Sequence, residues 1–206
     1  MCLIFEYQIF FKYYYIYVIM IEVETIRGDK MKREGLNYLD TLAKKIFKDE
    51  RGTKQLLPEF FEFYKSDIFF LVKNNNTIVS CGRLRNVEIE IEIDKIRFNL
   101  FGIADIISVA RDMGYGKILI QAIIEYLKNN GNITAIGFCK SSNSNFYLKC
   151  GLEILEGFVK YFKYKNGDNL IFNNDDNDVI FYRGDDEIIK KLLQSSNNII
   201  IYRPFW

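Results

Sequence analysis

NLFGIADIISVARDMGYGKILIQAIIEYLKNN, residues Asn99 to Asn130, is the stretch whose reading decides the fold. It begins with an apolar, β-branched run from Ile103 to Val109, interrupted by one carboxylate, Asp105. A run that short, followed by glycines, predicts a buried strand. Arg111, Asp112 and Met113 come next, then Gly114-Tyr115-Gly116. Beyond the glycines the period changes. Leu119, Ala122, Ile123, Tyr126 and Leu127 fall on one helical face, with Gln121, Glu125 and Lys128 on the other. The order is therefore strand, glycine turn, helix N-terminus.

That order suits an anion. The first N–H groups of a helix have no partner inside it, and the helix dipole puts partial positive charge there. Glycines let backbone N–H groups crowd around an oxyanion, and Lys117 adds a cation in the first turn. A pyrophosphate fits such a place. A ligand-free turn would show the same glycines. A dinucleotide fingerprint would need a third glycine where Leu119 stands. It would also need an acidic residue after the next strand, where Cys139 and Lys140 stand.

A resemblance supplies a third reading. Arg111-x-x-Gly114-x-Gly116, after a strand and opening a helix, resembles the acetyl-CoA loop of the GNAT superfamily of N-acetyltransferases. Phe146-Tyr147-Leu148-Lys149-Cys150-Gly151-Leu152 is similar to that superfamily's Phe-Tyr-x-Lys-x-Gly-Phe segment. It follows another apolar strand, Ile133 to Cys139, as the superfamily requires. The chain departs from the pattern in two places. Fewer residues separate Val109 from the glycines, and Leu152 stands for an aromatic.

Outward from this stretch the chain reads as one domain, residues 20–206, behind an apolar and aromatic extension, residues 1–19. The extension carries Glu6 and Lys12, so it is neither a clear membrane span nor a signal peptide. Ile21 to Ile26 alternates as a half-buried strand does, and Asp29 is placed to cap a helix through Ile46. Pro58 suits the first turn of a short second helix to Tyr64. Ile68 to Lys73 and Thr77 to Leu84 predict a hairpin about Asn74-Asn75-Asn76. Val87 to Ile93 reads as a further strand with a solvated acidic face, Glu88, Glu90 and Glu92. Gly157 to Tyr164 and Val179 to Tyr182 predict the last antiparallel strands, and Ile199 to Tyr202 a further strand before an aromatic tail. The resemblance implies an α/β class with the GNAT acyl-CoA N-acyltransferase fold, a twisted mixed sheet with helices on both faces.

Composition excludes several function classes. Lys+Arg 28 against Asp+Glu 27 leaves a net charge of +1, with no nucleic-acid footprint. With His 0, a histidine base, a catalytic triad and a histidine metal site are all excluded. Cys2, Cys81, Cys139 and Cys150 form no C-x-x-C pair. They read as reduced thiols of a cytoplasmic protein, with no metal site.

The resemblance also implies roles. Acetyl-CoA is the co-substrate, and a primary amine of a small molecule attacks it directly in a ternary complex. Backbone groups of Ile107, Ser108 and Val109 pair with the pantetheine arm, and an N–H near Val109 polarises the thioester carbonyl. Arg111, Asp112, Met113, Gly114, Tyr115, Gly116 and Lys117 hold the pyrophosphate, and Asn145 borders the cofactor. Tyr147 is the general acid toward sulfur; among Tyr 14 it stands out only through its motif. Asp105 binds the ammonium or relays its proton. Gly102-x-x-Asp105, the acidic loop Asp175-Asp176-Asn177-Asp178 and the final Trp206 resemble the aminoglycoside 2-prime N-acetyltransferase group. There, acidic side chains and the terminal carboxylate bind a polycationic sugar, so Asp105 and Trp206 are the implied substrate contacts. An amino sugar or polyamine is the implied acceptor. An acetyltransferase for protein termini or lysines, and a CoA-binding module without catalysis, stay open beside this reading, as does a homodimer.

Overall fold

A computed structural model describes residues 21–47, 64–173, 175–194 and 198–202. The extension 1–19 and the helix expected from Pro58 lie outside the described residues, apart from Tyr64, and so does Trp206. Four strands, β1 (Ile21–Arg27), β2 (Ile68–Asn74), β3 (Thr77–Ile91) and β4 (Ile96–Ser108), form an antiparallel meander. Helix α1 (Arg33–Phe47) lies between β1 and β2 in the chain. After β4 come α2 (Tyr115–Asn129), β5 (Ala135–Cys139), α3 (Ser141–Lys149) and β6 (Glu153–Leu155). The remainder is β7 (Phe162–Asn166), β8 (Asn169–Phe172), β9 (Asp178–Tyr182), α4 (Ile188–Gln194) and β10 (Ile199–Ile201).

All the described strands join one mixed sheet, ordered β6-β9-β5-β4-β3-β10-β7-β8, with β2 and then β1 added beside the first half of β3. β3 makes this possible because it is long. Its first half pairs with β2 through Leu84, and its last residues, Ile89 to Ile91, pair with β10. The sequence divides this strand in two after Leu84, yet it is continuous. Arg83 and Arg85, which break its apolar run, are buried and paired instead of marking a turn.

Three apolar clusters hold the sheet. Phe70, Leu84 and Ile103 pack under α2 and α3; Ile89, Phe162 and Phe181 pack against α4; Leu71, Cys81 and Ile107 pack against α1. The faces of α2 follow its periodicity. Leu119, Ile120, Ile123 and Leu127 are fully buried, while Gln121, Glu125 and Lys128 are exposed.

Three expectations need correction. Asp29 caps no helix. It sits in a 3-10 turn, Gly28–Lys30, and pairs with Arg27, while α1 starts at Arg33. Backbone bonds from Gly28 to Asp67 and from Asp29 to Lys65 hold that turn against the chain before β2. The strand expected from Gly157 begins only at Phe162 and runs parallel to β10. Gly157, with φ +63, opens a 3-10 turn that sends Val159 into the core. The acidic face of β3 is not simply solvated either. Glu90 is buried, and Arg97 donates to Glu90 and Glu88, both at 2.8 Å. No described helix is long and apolar enough to cross a membrane.

Candidate active site

The site starts where two strands part. β4 and β5 are parallel neighbours, but they pair only at Phe101↔Ala135 and Gly102↔Ile136. Gly137 marks the last close approach, since a Cβ there would lie 2.8 Å from the Ile103 carbonyl oxygen. Beyond it β4 continues to Ser108 against β3 alone, so one edge of its backbone faces an opening.

The same segment of β4 carries a bulge. Register with β3 shifts between Cys81 and Arg83, and Asp105 takes φ +50, a region that residues with a Cβ seldom adopt. The bulge changes which face side chains reach. Ile103 packs under α2, whereas Ile107 packs toward α1. In a regular strand two residues that far apart would share a face.

Register sets the direction of the backbone groups expected to meet the cofactor. The Val109 N–H donates to Val79 O at 3.0 Å, and Ile107 O accepts from Ser80 Oγ at 2.6 Å. Both residues thus turn their backbone groups toward β3, and neither is positioned to meet a ligand in the opening. Alternation turns Ser108 the other way, toward β5.

The glycine loop closes one end of the opening. Arg111, Asp112, Met113 and Gly114 are exposed. Gly114, at φ +76, is the N-cap of α2, with no side-chain cap and nothing within 4 Å of where a Cβ would stand. The first N–H groups of α2 therefore emerge into free space with no acidic residue in the first turn. Tyr115 is buried, and Asn74 Nδ2 donates to its hydroxyl at 3.0 Å, which gives this side chain a packing role. A Cβ on Gly116 would lie 3.0 Å from the Phe146 ring, so α2 and α3 touch at the two motifs. Lys117 is exposed and close enough to Cys150 to favour its thiolate. Asn145 is exposed on α3.

Tyr147 lies on the buried side of α3. Burial first, then the Cys139 and Cys150 thiols and the Asp176 carboxylate, push its hydroxyl above the usual tyrosine range, so it is protonated at neutral pH. The thiols themselves are poor nucleophiles. Burial pushes Cys81 up to about 12, with Asp105 adding to the effect, and burial also raises Cys139 and Cys150.

Beside α3 is an open cleft lined by Ser141, Ser144, Glu156, Gly157, Asn177 and Asp178. Burial alone would raise the Asp178 carboxyl. Bonds from Ser144 Oγ at 2.6 Å, from the Gly157 N–H at 2.8 Å and from Ser141 outweigh it and hold the group below the usual carboxylate range. A depressed folded value stabilises the fold above the unfolded pKa and is lost as pH falls through the folded one. Asp178→Asn should therefore lower Tm by a constant amount from pH 7 to about 5, and the difference should shrink below about pH 4. Thermal melts at both ends of that range check it; a difference that grows toward acid would contradict the assignment.

Asp105 reaches the other face of the sheet. Its Oδ2 accepts from Arg83 Nε at 2.6 Å, and Arg83 Nη1 donates to Asp67 at 2.5 Å. Arg85 Nη2 donates to the same Asp67 oxygen at 2.9 Å, and Arg83 stacks 4.6 Å from the centre of the Tyr64 ring. Asp67, Arg83 and Arg85 are absent from the sequence reading. The visible signal is Arg83-x-Arg85 on one face of a strand that is otherwise apolar, since buried guanidiniums require carboxylates. The two motifs thus meet on the α2 and α3 face, with Asp105 on the α1 face and the strand opening between them.

No curated protein matches this chain in sequence. In fold it is similar to Escherichia coli ElaA, at 14% identity and a TM-score of 0.56, covering 80% of this chain and 100% of that one. It is similar to an N-acetyltransferase from Staphylococcus aureus Mu50, at 20% identity and a TM-score of 0.52, covering 80% of this chain and 97% of that one. An aminoglycoside acetyltransferase, meta-AAC0020, from an uncultured soil metagenomic sample has a similar fold, at 15% identity and a TM-score of 0.51, covering 64% and 87%. The profile of the acetyltransferase (GNAT) family matches residues 36–152, more than half of the chain and both motifs up to Leu152. With the parted strands and the two motifs in contact, this places the chain in the GNAT family of acetyltransferases.

Proposed function

We propose that this protein transfers an acetyl group from acetyl-CoA to a primary amine of a small molecule, an amino sugar or polyamine, by direct attack. The observation that supports the proposal is the contact of the Gly114–Gly116 turn with Phe146, which brings an uncapped helix N-terminus against the helix that carries Tyr147. The amino-sugar class draws on the aminoglycoside acetyltransferase among the proteins of similar fold.

The chemistry needs few groups, because the thioester is already activated. The α2 N–H groups, with Lys117 and Arg111, bind the pyrophosphate, and Ser108 offers backbone groups to the pantetheine arm. Holding both substrates at the opening makes the attack effectively unimolecular. The neutral amine nitrogen bonds to the carbonyl carbon and the carbon–sulfur bond breaks. One nitrogen proton leaves to water, and Tyr147 donates toward the departing sulfur. The raised thiol pKa values support attack by the amine itself over an acetyl-cysteine route.

Gly114→Val should weaken acetyl-CoA binding by about tenfold or more, because its branches enter the space that the phosphates would take. Valine is also strained at φ +76. Gly114→Asn separates the two effects, since asparagine tolerates that φ yet still covers the N–H groups. Calorimetry should find binding weakened in both variants. Unchanged affinity in both would put the phosphates elsewhere.

A further inference from the structure

We propose that Arg83 is a positioning residue for the acceptor, holding the Asp105 carboxylate where it anchors the amine's ammonium form rather than serving as the base. The inference rests on the acetyl-transfer reading above and deepens its acceptor side.

The Arg83 side chain is 6% exposed and Asp67 is 0%, but Asp105 is 44% exposed. Asp105 is thus the end of the cluster that a ligand can touch. Its two oxygens differ. Oδ2 accepts the 2.6 Å bond from Arg83 Nε, while no described residue donates to Oδ1. One oxygen is pinned and the other is free for a cation.

The backbone adds a second observation. Asp105 occupies the bulge of β4 at φ +50, a conformation that persists only where its surroundings hold it. The Arg83 bridge is such a hold, since Arg83 sits on β3 at the register shift itself. The guanidinium is in turn fixed by Asp67 and by the Tyr64 ring. The chain from Asp67 through Arg83 to Asp105 therefore sets the place of the exposed carboxylate.

Pairing favours an anchor over a base. Asp67 is shared between Arg83 and Arg85, so Asp105 is the carboxylate that Arg83 does not share. The bond from Arg83 takes up Oδ2, so an ammonium at Oδ1 leaves the pairing of the buried guanidinium intact. The amine's proton then leaves to water once the cation is seated beside the thioester.

The test is steady-state kinetics on the full chain. Spermidine, sisomicin and a lysine peptide serve as acceptors, with Asp105→Asn, Arg83→Lys and Arg83→Gln as variants. Acetyl-CoA affinity is measured alongside. For the acceptor that the wild type uses best, Asp105→Asn should raise KM by about tenfold or more and leave kcat within about threefold. Arg83→Lys keeps a cation for Asp67 but cannot span both carboxylates. It should raise KM for the acceptor severalfold with kcat and acetyl-CoA affinity nearly unchanged, a split that a purely structural role would not produce. Arg83→Gln should show the larger KM effect if it folds, and Arg83→Lys carries the test if it does not. A fall in kcat of about a hundredfold at constant KM in Asp105→Asn would make Asp105 the base and overturn the proposal. Unchanged KM in Arg83→Lys would overturn the positioning role. Binding of acetyl-CoA without turnover of any acceptor would instead defeat the acetyl-transfer reading on which the proposal stands.

Discussion

Tyr147→Phe should lower kcat by about 10- to 1000-fold while acetyl-CoA affinity and Tm barely move. The variant keeps the ring, and with it the packing of Tyr147 among Ile103, Leu119 and Leu152. Only the hydroxyl is lost. That hydroxyl is held above the ordinary tyrosine range by burial, so it is a donor throughout the working pH range. Its place beside Cys139 and Cys150 lies on the face where the two motifs meet. Single-turnover release of CoA thiol measures the chemical step directly. Equal rates in wild type and variant would remove Tyr147 from the mechanism.

The second large effect is on stability. Asp67→Ala should destabilise the fold by about 3–5 kcal/mol, the range for a buried ion pair broken on one side. Asp67 is fully buried and accepts from both Arg83 and Arg85, whose side chains are each 6% exposed. Removing it leaves two guanidiniums with neither water nor their shared carboxylate. For a chain of this size Tm should fall by roughly 6–20 °C. Urea denaturation with an unchanged slope would assign the loss to the native state. A loss below about 1 kcal/mol would mean that water reaches the guanidiniums, as at a surface pair.

The contrast between these two residues reflects what a sequence can carry. Tyr147 is legible because its signal is local: an aromatic pair near the end of a short helix that follows a strand, with a glycine just beyond it. The strand, glycine turn and helix around Gly114 are legible for the same reason, since the hydrophobic period changes within the stretch. The Asp67 cluster is not local. Its hydrogen bonds join residues 16 and 18 apart, and Arg83 reaches Asp105 across 22. Arg83-x-Arg85 announces a need for carboxylates but does not say which.

Backbone direction was hidden in a different way. Whether Val109 or Ser108 faces the opening depends on strand parity, and one bulge residue reverses parity beyond it. Nothing in Ile107-Ser108-Val109 marks the bulge at Asp105; only pairing with β3 does. The continuity of β3 was hidden likewise, because its second half gains partners from β10, more than a hundred residues away.

The central claim is acetyl transfer from acetyl-CoA to an amine, and the most direct measurement follows both products at once. The protein is incubated with acetyl-CoA and the acceptor panel, and free CoA thiol and acetylated amine are quantified together. The account predicts that one class of small amine gains a single N-acetyl group, in step with thiol release, and that the rate falls steeply in Tyr147→Phe. Acetyl-CoA that binds but stays intact with every amine, or thiol released with no acetylated amine formed, would contradict it.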